Sequence, residues 1–151
     1  MNASKNIAKR VNELIDKYSN SPKSVQYLLC DQYPPNKLAY KIINENMEEY
    51  NLSYGELKTQ STLIANGLKK RGIKRGDRIA TLMGKSKEYI VTLLAIWRIG
   101  AVHVPLFTAF SPPAIMLRVN GSNSKIVFCD QNNNQNLNHQ MILYPKANSM
   151  L

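Results

Sequence analysis

The chain has 151 residues, 44% of them hydrophobic, which is the size of one domain and enough to bury a core. Twenty Lys and Arg against ten Asp and Glu give a formal charge of +10, which suits an anionic partner (nucleic acid, a membrane surface or a phosphorylated small molecule) without choosing among them. The longest apolar run, Ile90 to Trp97, is too short to span a bilayer, and MNASKNIAKR has no apolar core after its charges, so it is not a secretory signal.

Along residues 5 to 18, Ile7, Val11, Leu14, Ile15 and Tyr18 recur at helical spacing with charges between them, so residues 1–24 read as an N-terminal helical segment. A second short helix is expected from Val25 to Gln32, ended by Tyr33-Pro34-Pro35 because a residue before proline leaves the helical region. LAYKIINENMEEYNLSY then reads as a hairpin, two β-prone runs around a polar turn at Asn44 to Asn46. Ser53-Tyr54-Gly55-Glu56 fits a capping box, opening a helix with Leu57, Ile64 and Leu68 on one face. Lys69, Lys70 and Arg71 suit the negative end of that helix dipole, and Gly72 suits the left-handed residue that closes it, with Ile73 folding back.

From Gly76-Asp77 onward the pattern alternates: strand Arg78 to Met83, helix Ser86 to Ile99 ended by Gly100, and strand Ala101 to Leu106. A helix capped by Ser111 with Pro112 and Pro113 in its first turn follows, then a strand from Lys125 to Cys129. Strands alternating with helices predict an α/β fold of parallel β-α-β crossover units, here with an N-terminal hairpin, over residues 25–130. After Asp130, QNNNQNLNHQ and MILYPKANSML predict an Asn-rich, disordered tail over 131–151.

Few residues offer chemistry of their own. Cys30 and Cys129 lie far apart, with no Cys-x-x-Cys spacing and no neighbouring histidine, and read as free thiols in a reducing cytoplasm. Met83-Gly84-Lys85-Ser86 stands between strand and helix, the setting of a phosphate loop, but that pattern needs glycine five residues before Gly84 and finds Ile79. The better reading is a plain strand-to-helix turn. His103 is expected in the sheet and His139 in the tail, and Asp16, Asp31, Asp77 and Asp130 are scattered, so no catalytic set and no metal ligand is assigned. Lys69-Lys70-Arg71-Gly72-Ile73-Lys74-Arg75-Gly76-Asp77-Arg78 would suit backbone phosphates, although no aromatic residue is interleaved for base stacking. A helix end and a surface turn explain those charges as well.

LSYGEL at 52–57, GIKRGDRIA at 72–80, EYIVTLLAIWRIGAVHVPL at 88–106 and the continuation to IVFCD at 126–130 are specific in this order and spacing. The chain resembles the N-terminal part of an AMP-forming acyl-CoA synthetase of the adenylate-forming ligase superfamily, nearest to its acetate and short- or medium-chain branch. The resemblance covers roughly residues 25–130, which it implies to be a partial AMP-binding domain, an incomplete N-terminal subdomain of such a ligase. It implies a cytoplasmic parent enzyme that activates a carboxylic acid with ATP and Mg2+ to an acyl-adenylate, releasing pyrophosphate, after which the thiol of coenzyme A displaces AMP. The family's Thr/Ser/Gly-rich phosphate loop, aromatic-Thr-Glu motif, ribose-binding Asp and mobile C-terminal domain have no counterpart in these residues. The expectation is therefore a truncated portion that does not adenylate by itself and whose partner is the remainder of the ligase.

One carry-over concerns a site. In acetyl-CoA synthetases the loop after the GAVH strand reads Phe-Gly-Gly-Phe-Ser-Pro and lines the coenzyme A nucleotide. Phe107-Thr108-Ala109-Phe110-Ser111-Pro112 occupies that motif, which implies Phe107, Thr108 and Ala109 as coenzyme-facing residues. Thr108 and Ala109 depart from the family's glycines, so close backbone approach is in question. A loop that only turns a strand into a helix is the competing reading. At the level of the whole chain the alternatives are a small basic module for nucleic acid or another polyanion, and a decayed gene product without function.

Overall fold

The computed structural model describes residues 2–19, 24–43 and 46–130; the expected turn residues 44–45 and the tail 131–151 lie outside the described residues. Helix α1 (Asn2–Ser19) carries the apolar stripe anticipated for it, but Ile7, Val11, Leu14, Ile15 and Tyr18 all stay exposed. Residues 25–31 form the expected short helix, wound from Tyr27–Asp31 as a π turn in which the Gln32 N–H donates to the Tyr27 carbonyl at 3.1 Å. Strands β1 (Leu38–Ile43) and β2 (Glu49–Ser53) pair antiparallel, Ile42 opposite Tyr50, as the hairpin reading requires.

Ser53 opens α2 (Tyr54–Lys70) with a full capping box. The Glu56 N–H donates to Ser53 Oγ at 3.2 Å, and the Ser53 N–H donates to Glu56 Oε2 at 3.0 Å. Such a cap contributes about 1 kcal/mol. At the other end Gly72 takes φ of 80°, and the Ile73 N–H reaches back to the Leu68 carbonyl at 3.1 Å. Ile73 is thereby drawn into the core beside Leu68, as its position after the glycine predicts.

The remaining elements are β3 (Arg78–Leu82), α3 (Lys87–Arg98), β4 (Val102–Pro105), α4 (Pro112–Ser122) and β5 (Ile126–Cys129). The three strands form one parallel sheet in the order β4-β3-β5. Each ladder stops within a residue of the expected ends. The period-2 alternation of each strand decides what the two faces meet. Ile79, Ile126 and Phe128 pack with Ala95 and Ile96 of α3 and with Ile99 at its C-cap, whereas Ala80, Leu82, Val127 and Cys129 pack with Ile115 and Val119 of α4. Both faces are covered, as a parallel sheet demands. The outer side of α3 gives Val91 and Leu94 to a further cluster with Cys30, Leu52 and Leu57, which fastens the hairpin and the π turn to the α/β unit.

Ser111 does occupy the N-cap of α4 in an extended conformation, but its hydroxyl makes no cap hydrogen bond. The two residues that follow are Pro112 and Pro113, which have no N–H to donate. Because α3 and α4 lie on opposite faces, the loops leaving β3 and β4 diverge. In open α/β sheets the crevice for a ligand lies at such a divergence, outside the carboxyl ends of the strands.

Candidate functional site

The loop that leaves β4 is held at its start and closed on itself. The Leu106 N–H donates to the Thr81 carbonyl at 2.9 Å, and the Phe110 N–H donates to the Phe107 carbonyl at 3.0 Å, closing a turn with Thr108 and Ala109 at its centre. Neither central residue has positive φ; among the described non-glycine residues only Met47 and Asn123 do. The turn therefore accepts side chains where the family has glycines, with no backbone strain. Thr108 is half-buried and Ala109 exposed.

Phe110 packs against the cluster that contains Leu106, Ile115 and Val119, while Phe107 is 63% exposed. The two rings meet edge to face, 5.5 Å between centroids at 82°. Arg118 lays its guanidinium over the Phe110 ring, 3.9 Å from the centroid, and its Nη1 donates to the Ala114 carbonyl at 2.9 Å. Sequence reading passed over Arg118, because nothing in its neighbourhood along the chain marks an aromatic partner. The structure thus brings Phe107, Thr108, Ala109, Phe110, Ser111 and Pro112 to one rim of the sheet. That set offers an exposed ring, a hydroxyl and turn backbone, which suit binding of a planar or polar group rather than proton transfer.

The neighbouring loop, Met83 to Ser86, is a strand-to-helix turn between β3 and α3. The Gly84 N–H donates to Asp130 Oδ2 at 2.8 Å, so the chain's own carboxylate takes the donor that an anion would use. Ser86 Oγ accepts the Tyr89 N–H at 3.2 Å as an N-cap. His103 belongs to the sheet: its Nε2 lies 2.8 Å from Thr81 Oγ1, with the Tyr89 ring edge-on at 6.1 Å. Burial holds the imidazole below its usual pKa. Among the described residues, no group of three His, Cys, Asp or Glu side chains comes together to hold a metal ion. Cys30 and Cys129 are both free and buried, and burial is the main cause that pushes both thiols up, Asp31 and Asp130 respectively adding to it. Neither is activated.

The basic cluster lies at the opposite, amino-terminal rim. Lys69, Lys70, Arg71, Lys74 and Arg75 are exposed there. Arg78 turns inward: Nε donates to the Ser122 carbonyl at 2.9 Å, Nη2 to that of Asn123 at 3.2 Å and Nη1 to that of Gly76 at 3.2 Å. Asp77 accepts the Lys74 N–H at 2.7 Å and pairs with Lys125 at 2.8 Å. At this same end a group appears that the sequence did not reveal. Arg98 Nη1 and Nη2 grip the Asp31 carboxylate at 2.9 and 2.6 Å, and Nε donates to Ser61 Oγ at 2.8 Å. The Arg98 hydrogen bonds, ahead of its charge, hold the Asp31 carboxyl below the usual carboxylate range.

The family model for AMP-binding enzymes matches residues 29–148. An acetyl-coenzyme A synthetase of Chlorobaculum tepidum is 46% identical over 94 residues, which is 62% of this chain and 14% of that protein. One of Shewanella oneidensis is 45% identical over 80 residues, 53% of this chain and 12% of the relative. The chain therefore spans a small part of the length of the curated relatives it matches. The crystal structure of Brucella canis acyl-CoA synthetase superposes with a TM-score of 0.79 at 31% identity, covering 90% of this chain and 27% of that one. Among the described residues, no helix is long and apolar enough to cross a membrane.

Proposed function

The chain belongs to the AMP-binding enzyme family, and from that premise we propose that it is part of an AMP-forming acid–CoA ligase, contributing one wall of the coenzyme A site. The parent reaction joins a carboxylic acid to coenzyme A through an acyl-adenylate, with ATP and Mg2+ consumed in the first half. The wall is the aromatic turn, with Phe107, Thr108 and Ala109 facing the coenzyme. What supports this reading is the place of that turn: a ring 63% exposed, at the carboxyl end of β4, where α3 and α4 part. Bound coenzyme A supplies the thiol that displaces AMP; the residues here orient its nucleotide end and shield it from water on one side. Buried free thiols at Cys30 and Cys129 suit a cytoplasmic enzyme.

The residues do not fit ATP and Mg2+ in the same way. The Gly84 N–H is engaged by Asp130, and no metal-holding trio forms among the described residues. No step of the adenylation is therefore assigned to this chain, and the 151-residue protein is expected to be inactive in carboxylate-dependent exchange of labelled pyrophosphate into ATP. The direct test is calorimetry of this chain with coenzyme A. A single weak site is expected, which Phe107→Ala weakens about tenfold, since a stacked base is worth about 1–3 kcal/mol. Affinity unchanged by Phe107→Ala would sink the reading. Salt-sensitive nucleic-acid binding, lost when Lys69, Lys70, Lys74 and Arg75 become Ala, would favour the polyanion module instead.

A further inference from the structure

The guanidinium of Arg118 is anchored twice, by its hydrogen bond to the Ala114 carbonyl and by its 3.9 Å approach to the Phe110 ring. A flat, delocalised cation makes that contact; a lysine ammonium does not reproduce it. Phe110 thus touches both Arg118 and Phe107. Its ring carries the guanidinium at 3.9 Å and meets the Phe107 ring edge to face at 5.5 Å, and its N–H closes the turn on the Phe107 carbonyl. The exposed Phe107 has Phe110 as its ring partner, and Phe110 in turn has the exposed Arg118 against its ring. Pro112 and Pro113 stiffen the chain between the turn and α4.

We infer that Arg118 is a positioning residue of the aromatic wall: by stacking on Phe110 it fixes the attitude at which Phe107 meets a ligand. The inference rests on the coenzyme-facing reading of residues 107–109, and its test separates the two. The chain has three phenylalanines, Phe107, Phe110 and Phe128, so 4-fluorophenylalanine labelling gives two reporters in the wall and one buried in β5. Arg118→Ala is expected to move the Phe107 and Phe110 fluorine signals toward the free amino acid and to leave that of Phe128 in place. Arg118→Lys, which keeps the charge and loses the plane, moves them the same way by less. An unmoved Phe107 signal in both variants overturns the inference. Should Arg118→Ala disturb Phe128, and with it the fold, Arg118→Lys decides alone.

Binding adds a second arm. A positioning residue weakens coenzyme A and dephospho-coenzyme A equally, here by about two- to fivefold, the worth of one exposed cation–π contact. Weakening confined to coenzyme A would make Arg118 a direct phosphate ligand and overturn the positioning role. If the wild-type chain binds neither compound, the coenzyme reading fails, while the fluorine spectra still decide what Arg118 does to Phe107.

Discussion

The two rims of the parallel sheet are built from the same kinds of connection and end in opposite conditions. At the amino-terminal rim every loop is stitched to its neighbour. The Gly76 N–H donates to the Gly100 carbonyl at 2.9 Å, the Val102 N–H to that of Asp77 at 2.8 Å, and the Lys125 N–H to that of Arg78 at 2.9 Å. The left-handed residues Gly72, Gly76, Gly100 and Asn123 lie here, as do the ion pairs of Asp77 and Asp31. The carboxyl-terminal rim has a short aromatic turn, one carboxylate latch at Gly84 and an exposed Phe107. Among the described residues, charge fastens the amino-terminal rim, and the carboxyl-terminal rim carries the turn proposed to meet a ligand. Of the six cations that read as a polyanion patch along the chain, Arg78 is a fastening and the other five are exposed, and the proposed coenzyme wall lies at the other rim.

The strongest way to break this contrast is to remove a fastening. The Asp31 and Arg98 side chains are 19% and 11% exposed, and Arg98 also holds the fully buried Ser61. Asp31→Ala leaves a guanidinium without its partner and is expected to cost about 2–3 kcal/mol, somewhat under the range for fully buried pairs because the outer edge still meets water. Thermal unfolding should show it as a loss on the order of 10 °C. A midpoint within a degree or two of wild type would mean that the Asp31–Arg98 pair adds nothing to the amino-terminal rim.

A smaller effect sharpens the comparison with one substitution at each rim. Gly100 has φ of 69°, and a Cβ there would lie 3.0 Å from Arg75 Cγ. Gly100→Ala should therefore destabilise by about 1–2 kcal/mol in denaturant titration. Thr108 has ordinary φ, so Thr108→Gly should cost less than about 1 kcal/mol, the entropy of a freer chain. Equal losses at the two positions would show that the aromatic turn is as constrained as the opposite rim.

Much of this architecture was legible along the chain because local chemistry states it. Ser53 with Glu56, Gly72 before Ile73 and Gly100 after Ile99 each carry a stop or start signal in adjacent residues, and the structure places each as expected. The alternation of strands and helices gave the parallel sheet for the same reason. Contacts between distant residues had no such signature: Asp31 and Arg98 are 67 positions apart and read as scattered charges. The stripe of α1 shows the converse limit, since periodicity gives a helix its apolar face but does not say what, if anything, it packs against. The aromatic turn stands between these cases. Resemblance pointed to Phe107, Thr108 and Ala109, but the contact of Arg118 with Phe110 needed the fold, which brings a side chain of α4 onto a ring of the turn.

The finest test uses acid. Lys125, and after it the Lys74 N–H, hold the Asp77 carboxyl below the usual carboxylate range in the folded protein. Between the folded and unfolded pKa values the unfolded chain then binds more protons, so unfolding becomes easier as pH falls. The contribution of Asp77 is complete above about pH 4, the ordinary value for a carboxylate, and is lost as pH drops through the lower folded-state value. Asp77→Asn keeps an acceptor for the Lys74 N–H and removes the charge. Its stability should lie below wild type at pH 7, and the two curves should converge on acidification. His103 acts in a separate window. Burial lowers its folded pKa, so it withdraws stability as pH falls below about 6.5, in wild type and Asp77→Asn alike. Curves that stay parallel from pH 7 to pH 3 would show that the Asp77 pair adds nothing to the amino-terminal rim. The stitching would then reside in its backbone hydrogen bonds and left-handed turns.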